Sequence, residues 1–276
     1  MQPATTSHVP QQLDVARPVL IETVDHDAGD FDLHEWRSAA ASLEASGYCV
    51  TRFTQGDMLS GDVKLCRGTP VVGSRTSLSF ALRSLHVIGP SAPLPERSDY
   101  PSALNWFLGR NIWPSTLGEA MAMAAGAPVF VKPRGAENVK LFTGFVVDES
   151  NAWRLHNLPP DLRVWCSEVL SFVSEWRCYV LRGAVKLVCY SGDEHLAPPD
   201  TEAIRKAIDA LKVSGEGSAA YALDVGVGLV KGSPQTALIE VNDGFSLGLY
   251  PGCPESWYAA MNIARWDEMA GAADRR

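Results

Sequence analysis

Three oxygen-bearing side chains in the last quarter of the chain are spaced so that they could hold a divalent cation together. The segments AAYALDVGVGLV and TALIEVN, joined by KGSP, read as a hairpin whose turn centres close to Gly232. That register sets Asp224 opposite Glu240, with Asn242 two residues on and facing the same way. Two carboxylates so close repel unless one is protonated or a cation intervenes. Magnesium takes hard oxygen donors, commonly one or two carboxylates completed by phosphate oxygens. The alternate residues Tyr221, Leu223, Val225, Ile239 and Val241 are apolar and should pack inward. A solvated acidic edge would not be flanked by strands this apolar, so Asp224, Glu240 and Asn242 are the candidate magnesium ligands.

Basic residues lie upstream in two further hairpins. In VFVKPRGAENVKLF the loop RGAEN centres near Ala136, and a symmetric register places Lys132 across from Lys140, with Phe130 and Phe142 beside them. Like charges directly opposite each other destabilise a strand pair, and an anion such as a phosphate chain between them would turn that cost into binding. Two solvated lysines on an outer face would show the same spacing. This register predicts that removing Lys132 leaves the free protein no less stable. In EWRCYVLRGAVKLVCY a two-residue turn at Arg182-Gly183 pairs Tyr179 with Lys186. Glu175, Arg177, Tyr179 and Lys186 then share one face, and Trp176, Cys178, Val180, Val185 and Leu187 share the other.

Basic pairs followed by an acidic patch are what a nucleoside triphosphate with magnesium requires. No GxxxxGK[ST] is present, no GxGxxG follows the first strand, and neither the HRD and DFG set nor a GxSxG elbow occurs. The six histidines are scattered and form no cluster. The six cysteines show no CxxC and no zinc spacing, and free thiols in a reducing cytoplasm are expected.

The elements that must position these residues fall into two textures. VLIETV and YCVTRF read as strands, with a helix between them that carries Trp36, Ala40 and Leu43 and stops at Gly47. A strand, a helix over about 77–85 and another strand follow, so the first part reads as a small α/β layer. GPSAPLPERSDYP holds four prolines in 13 residues and is the linker candidate. Beyond it, helices are expected over 100–108 and 116–125. Then come the three hairpins, WCSEVLSFV as a separate strand, a helix over 201–213, and a closing helix in PESWYAAMNIARWDEM. The boundaries expected are a flexible arm over 1–16, the α/β domain over 17–97, the main domain over 98–270 and a tail over 271–276.

The 276 residues are 46% apolar and 20% charged, enough for a sizeable core. The net charge of −8 disfavours a nucleic-acid partner. The longest apolar stretch, 120–131, is broken by Gly126 and Pro128 and falls short of the ~20 residues a membrane span takes. The N-terminus has no signal-peptide pattern, so a cytoplasmic location with no membrane partner is expected.

Residues from about 100 to 250 resemble the ATP-grasp superfamily, in the order its motifs run. VFVKP resembles the phosphate-binding lysine strand and Lys140, in VKLFTG, the second basic residue. SEVL resembles the hinge that holds adenine, with Glu168, Val169 and Leu170. Glu175 in SEWR resembles the ribose-binding acid, and Arg177 the arginine at the transferring phosphate. ALDVGV and LIEVND resemble the two strands that supply Asp, Glu and Asn to magnesium. The likeness is greatest to short stand-alone bacterial and phage ATP-grasp amide ligases, whose helical segment before the lysine strand LGRNIWPST resembles. RGAEN is shorter than the family's Gly/Ser-rich lid, and the N-terminal layer carries no recognisable substrate motif.

The resemblance implies an α+β ATP-grasp fold of two subdomains clasping ATP, preceded by the small α/β layer. It implies ATP and Mg2+ as cofactors, and a small-molecule or peptide carboxylate with an amine as co-substrates. The reaction implied is amide or peptide bond formation through an acyl phosphate. Lys132, Lys140, Glu168, Val169, Leu170 and Glu175 would hold the nucleotide. Arg177, Lys186 and Arg110 would be catalytic, with Arg110 and the GFSLGLYPG run bordering the acceptor site. The alternatives are a phosphotransferase on the same fold and a nucleotide-binding module without turnover.

Overall fold

In the computed structural model, which describes residues 17–23, 33–135, 141–190, 197–230, 232–245, 247–250 and 253–271, three sheets carry the strands. The arm expected over 1–16 and the end of the tail, 272–276, lie outside the described residues. Strand β1 (Val19–Thr23) is the centre of a parallel sheet, flanked by β2 (Val50–Thr54) and β3 (Val71–Val72). Val19, Leu20 and Ile21 are all buried, as expected of a parallel strand covered on both faces. Helix α1 (Leu33–Ala45) buries Ala39, Ala40 and Leu43 on one stripe. Helix α2 (Gln55–Ser60) has no counterpart in the expected elements, yet its signal was present. Thr54 and Asp57 form a reciprocal capping box, and Gly61 closes the helix at φ 84°. Helix α3 (Arg75–Ser84) is capped by Ser74. The strand expected after α3 does not form, because the chain turns at His86, which takes φ 52°.

A second sheet has the order β4-β7-β5-β6, all antiparallel. Its strands are β4 (Ile112–Thr116), β5 (Val129–Pro133), β6 (Phe145–Val147) and β7 (Arg163–Ser167). The segment LGRNIWPST, expected as helical, supplies strand β4. Pro114 is tolerated there because β4 is an edge, where a missing backbone donor costs little. Thr116 then caps helix α4 (Leu117–Ala124). A short 3-10 helix, Ser102–Phe107, stands where a longer helix was expected.

The third sheet has the order β11-β10-β8-β9. Its strands are β8 (Phe172–Leu181), β9 (Ala184–Tyr190), β10 (Ala220–Val230) and β11 (Ser233–Asp243). WCSEVLSFV is therefore not one strand: residues 168–171 leave β7 and cross to the next sheet. Helix α5 (Thr201–Ser214) is capped by Asp200. It buries Ile204, Ala207, Ile208 and Leu211 against Leu104, Tyr221, Leu223, Val225 and Leu238.

Helix α6 (Glu255–Met269) joins the layers. Tyr258, Met261 and Ile263 share a core with α1, β1 and Tyr179 of β8, while Trp266 and Met269 pack under the parallel sheet with Leu78 and Leu82. Arg17 clamps Asp267 of this helix from the other end of the chain. The expectation of free thiols throughout is corrected at one pair. Cys189 and Cys253 are joined in a disulfide, their Cα atoms 6.5 Å apart, whereas Cys49, Cys66, Cys166 and Cys178 are free. None of the described helices is long and apolar enough to cross a membrane.

Arg265 on α6 donates to both oxygens of Asp243 (2.7 and 3.0 Å) and also reaches the carbonyl of Pro95, with the two side chains 3% and 1% exposed. Arg265→Leu should lower the free energy of unfolding by about 3–5 kcal/mol, because Asp243 stays buried without its counter-charge. Arg205→Ala, which removes ion pairs on the exposed face of α5, should cost far less. Urea unfolding followed by tryptophan fluorescence checks both, and equal losses would show that the buried pair carries no special weight.

Candidate active site

Hairpin β10–β11 brings Asp224 opposite Glu240 and Ala222 opposite Asn242. A bulge follows Asp224, so that Val225 opposes Leu238 and Ile239 becomes the extra residue. Leu238, not Ile239 as expected, therefore enters the core. On the other side of Asp224 stands Arg177 of β8, its direct cross-strand neighbour, and Glu175 faces Gly226 two residues along. A Cβ at Gly226 would run into the Phe172 ring, so this close strand approach needs glycine.

The carboxylates are not left to repel. Arg177 grips Asp224 with two parallel hydrogen bonds of 2.7 and 2.6 Å, and its third arm donates to the carbonyl of Gly248. The ring of Tyr250 covers the guanidinium at 4.0 Å. From the second sheet, Lys132 reaches Glu240 at 2.5 Å and Asp99 at 2.8 Å. The amide nitrogen of Asn242 bridges Asp224 (2.9 Å) and Glu240 (3.1 Å). Burial raises the Asp224 carboxyl even against the Arg177 guanidinium. Burial works in the same direction on Glu240, but the charge and hydrogen bond of Lys132, with help from Asn242, hold that carboxyl below its ordinary value. Glu175 is pushed up, first by desolvation and then by the charges of Asp224 and Glu240.

Two predicted registers are corrected. Strand β5 pairs Phe130 with Val146 and Val131 with Phe145, so its connection is longer than RGAEN and Lys132 does not sit across from Lys140. Lys140 lies outside the described residues. Lys132 instead neighbours Trp165 of β7, with Gly144 packed on its Cβ. In hairpin β8–β9 the turn is at Arg182-Gly183 as expected, but a bulge between Tyr179 and Val180 makes Lys186 the extra residue and sets Tyr179 opposite Leu187. Lys186 thereby loses the pairing that put it beside Arg177 and stands 6.0 Å from the ring of Trp257 on α6.

Arg110, expected at the acceptor site, is committed to backbone. It donates to the carbonyls of Leu108 (3.0 Å), Leu238 (2.8 Å) and Ile239 (3.3 Å), which ties the approach to β4 onto β11 at its bulge. Glu168 accepts from the backbone and side-chain nitrogens of Asn111, both at 2.9 Å, and these bonds hold it below the usual carboxylate range. Its carboxylate thus braces the 168–171 crossing, beside an exposed Val169 and a half-buried Leu170. Asp99, Tyr100 and Tyr250 did not emerge from the motifs. Asp99 and Tyr100 fall in the proline-rich stretch that reads as a linker, and only their proximity to Lys132 and Arg177 marks these three residues.

A divalent cation fits the donor set Asp224, Glu240 and Asn242. All three offer hard oxygens, since a rotation of the Asn242 amide presents Oδ1 in place of nitrogen. Among the described residues no group of three or more His, Cys, Asp or Glu could hold a metal, so two carboxylates and an amide would leave the remaining positions to phosphate and water.

The ion pairs reverse the expectation from facing lysines. Lys132→Met should destabilise the free protein by about 1–3 kcal/mol, because Glu240 and Asp99 lose their shared cation. Glu240, depressed in the fold, contributes stability above its unfolded pKa and loses it as pH falls through the folded value. The gap between wild type and Lys132→Met should therefore be widest near neutrality and close below roughly pH 4. Thermal unfolding across pH measures it, and a gap that does not change with pH would sever the link to Glu240.

A family model described as an ATP-grasp domain, the second family of its clade, matches residues 107–261, more than half of the chain. No curated protein is significantly similar. Among solved structures, D-alanine–D-alanine ligase from Bacillus anthracis is 13% identical with a TM-score of 0.55, over 94% of this chain and 100% of its own. Macrocyclase MdnC from Microcystis aeruginosa MRC, solved with precursor peptide MdnA, is 15% identical with a TM-score of 0.51, over 89% and 98%. A RimK domain ATP-grasp protein from Sphaerobacter thermophilus is 14% identical with a TM-score of 0.51, over 90% and 99%. At these identities the likeness is one of fold, and it agrees with the match to the family model that spans the lysine strand, Arg177 and the Asp224–Glu240 hairpin: the chain belongs to the ATP-grasp family.

Proposed function

We propose that the chain is an ATP- and magnesium-dependent ligase that joins a carboxylate to an amine through an acyl phosphate. The observation that carries this reading is the convergence of Lys132, Arg177, Asp224, Glu240 and Asn242 along one seam between two sheets. Lys132 holds phosphate oxygens, the 168–170 crossing receives adenine, and Glu175 takes the ribose. Asp224, Glu240 and Asn242 hold magnesium, which supplies neutralisation of phosphate charge when bound. Arg177 stabilises the transferring phosphoryl group. The side chains perform little covalent chemistry here; placement and charge neutralisation supply the rate. The similar structures named as a D-alanine–D-alanine ligase and a peptide-bound macrocyclase lend the substrate class: a small-molecule or peptide carboxylate and an amine.

Arg177 and Lys132 are parked on the carboxylates in the ligand-free arrangement. Binding of magnesium and ATP therefore exchanges partners, with phosphate taking the cations and metal the carboxylates. A mass-spectrometric screen of carboxylates and amines with magnesium and ATP tests the reaction. ADP and phosphate should appear with an amide only when both co-substrates are present, and a stable phosphorylated product without amine would make the chain a phosphotransferase.

Glu240→Gln should lower turnover at least ~100-fold, the scale of losing a preorganised electrostatic contact. Excess magnesium should recover only part of it. Glu255→Gln, exposed at the start of α6, should be close to neutral. ADP release across a magnesium titration measures both, and near wild-type turnover of Glu240→Gln at low magnesium would remove the metal site.

A further inference from the structure

Lys132 has two carboxylate partners, and one of them stands outside the metal row. Asp99 Oδ2 lies 2.8 Å from its ammonium, beside Glu240 Oε2 at 2.5 Å. Asp99 belongs to the stretch ahead of Ser102–Phe107, far from the hairpins in sequence. Its carbonyl nonetheless accepts the Val241 N–H at 2.9 Å, between Glu240 and Asn242. Asp99 is thus fastened to the same strand that carries two of the candidate metal ligands. Tyr100 places its ring 5.4 Å from the ammonium and edge-on to Trp165, the cross-strand neighbour of Lys132.

Glu240 cannot give its full charge to an ammonium and to a metal ion at once. With Glu240 as sole partner, binding a cation would strip counter-charge from a lysine whose side chain is only 17% exposed. We propose that Asp99 is a positioning residue that keeps Lys132 paired and aimed when Glu240 turns to a divalent cation. The proposal rests on the reading of Asp224, Glu240 and Asn242 as metal ligands. Its backbone bond to Val241 lets Asp99 hold that position whichever partner Glu240 takes.

Asp99→Asn keeps the size and the backbone bond but leaves Glu240 as the only anion on Lys132, so metal and lysine compete for it. The magnesium concentration that half-saturates binding of a non-hydrolysable ATP analogue should rise roughly tenfold, as for other residues that orient a metal ligand. Affinity at saturating magnesium should change little. Asp99→Glu, which retains the charge, should recover most of the shift. Calorimetric titrations at a series of magnesium concentrations give these values, with melting temperature recorded alongside. A purely structural tie would lower the melting temperature and weaken binding equally at every magnesium concentration, and that result overturns the proposal. So does an unchanged magnesium requirement, or no recovery by Asp99→Glu. Asp99→Ser is the second uncharged variant, and failure of both uncharged variants to fold would equally assign Asp99 to structure alone. Wild type that binds the analogue independently of magnesium overturns the metal reading itself, and Asp99's role with it.

Discussion

Lys132 and Glu240 come from different sheets, and their ion pair crosses the seam between them where little water reaches. An unpaired charge there would be costly, so every neighbouring element is arranged to keep the two together. Asp99 adds a second anion, Tyr100 and Trp165 wall off the stem of the lysine, and Arg110 ties the approach to β4 onto the β11 bulge. The bulge itself follows from the need to hold Glu240 in the row while Leu238 is buried. Binding chemistry and sheet-to-sheet packing are therefore the same set of contacts.

The second pair, Arg177 with Asp224, connects the site to the rest of the chain. Arg177 and the Tyr179 hydroxyl both donate to the carbonyl of Gly248, and the Tyr179 oxygen accepts from the Tyr250 backbone. Glu35 of α1 accepts the Leu249 N–H, so the N-terminal layer holds the same segment from its far side. That segment leaves β11 at Gly244, where a Cβ would lie 2.5 Å from the Ala220 carbonyl oxygen; only glycine lets the chain pass. Helix α6 then packs against both the parallel sheet and the third sheet. The small α/β layer is in this way part of the support for Arg177 and Tyr250.

Turn chemistry and side-chain alternation made most elements legible. Arg182-Gly183 turns where two residues in the left-handed region, at φ 51° and 73°, were expected, and Asp200 caps the helix it precedes. Register was less secure. Asp224 meets Glu240 only because a bulge adds one residue to β11: the tight turn pairs Val230 with Ser233, and continuing that count without the bulge would pass Glu240 by. The same device misplaced Lys186, since the bulge in β9 lies on the other hairpin's path to Tyr179. A bulge answers to the packing on both faces of a sheet, which no local pattern contains.

By itself, the sequence determined the residue types of the site, the strands that carry them and the family likeness, because side-chain period, turn residues and helix caps act over a few residues. The tertiary structure alone decided which charges meet. Lys132 and Glu240 are 108 residues apart, and Arg177 and Gly248 are 71 apart. A partner at that distance is chosen by how three sheets and α6 pack, so the lysine expected to face another lysine is held by two carboxylates instead.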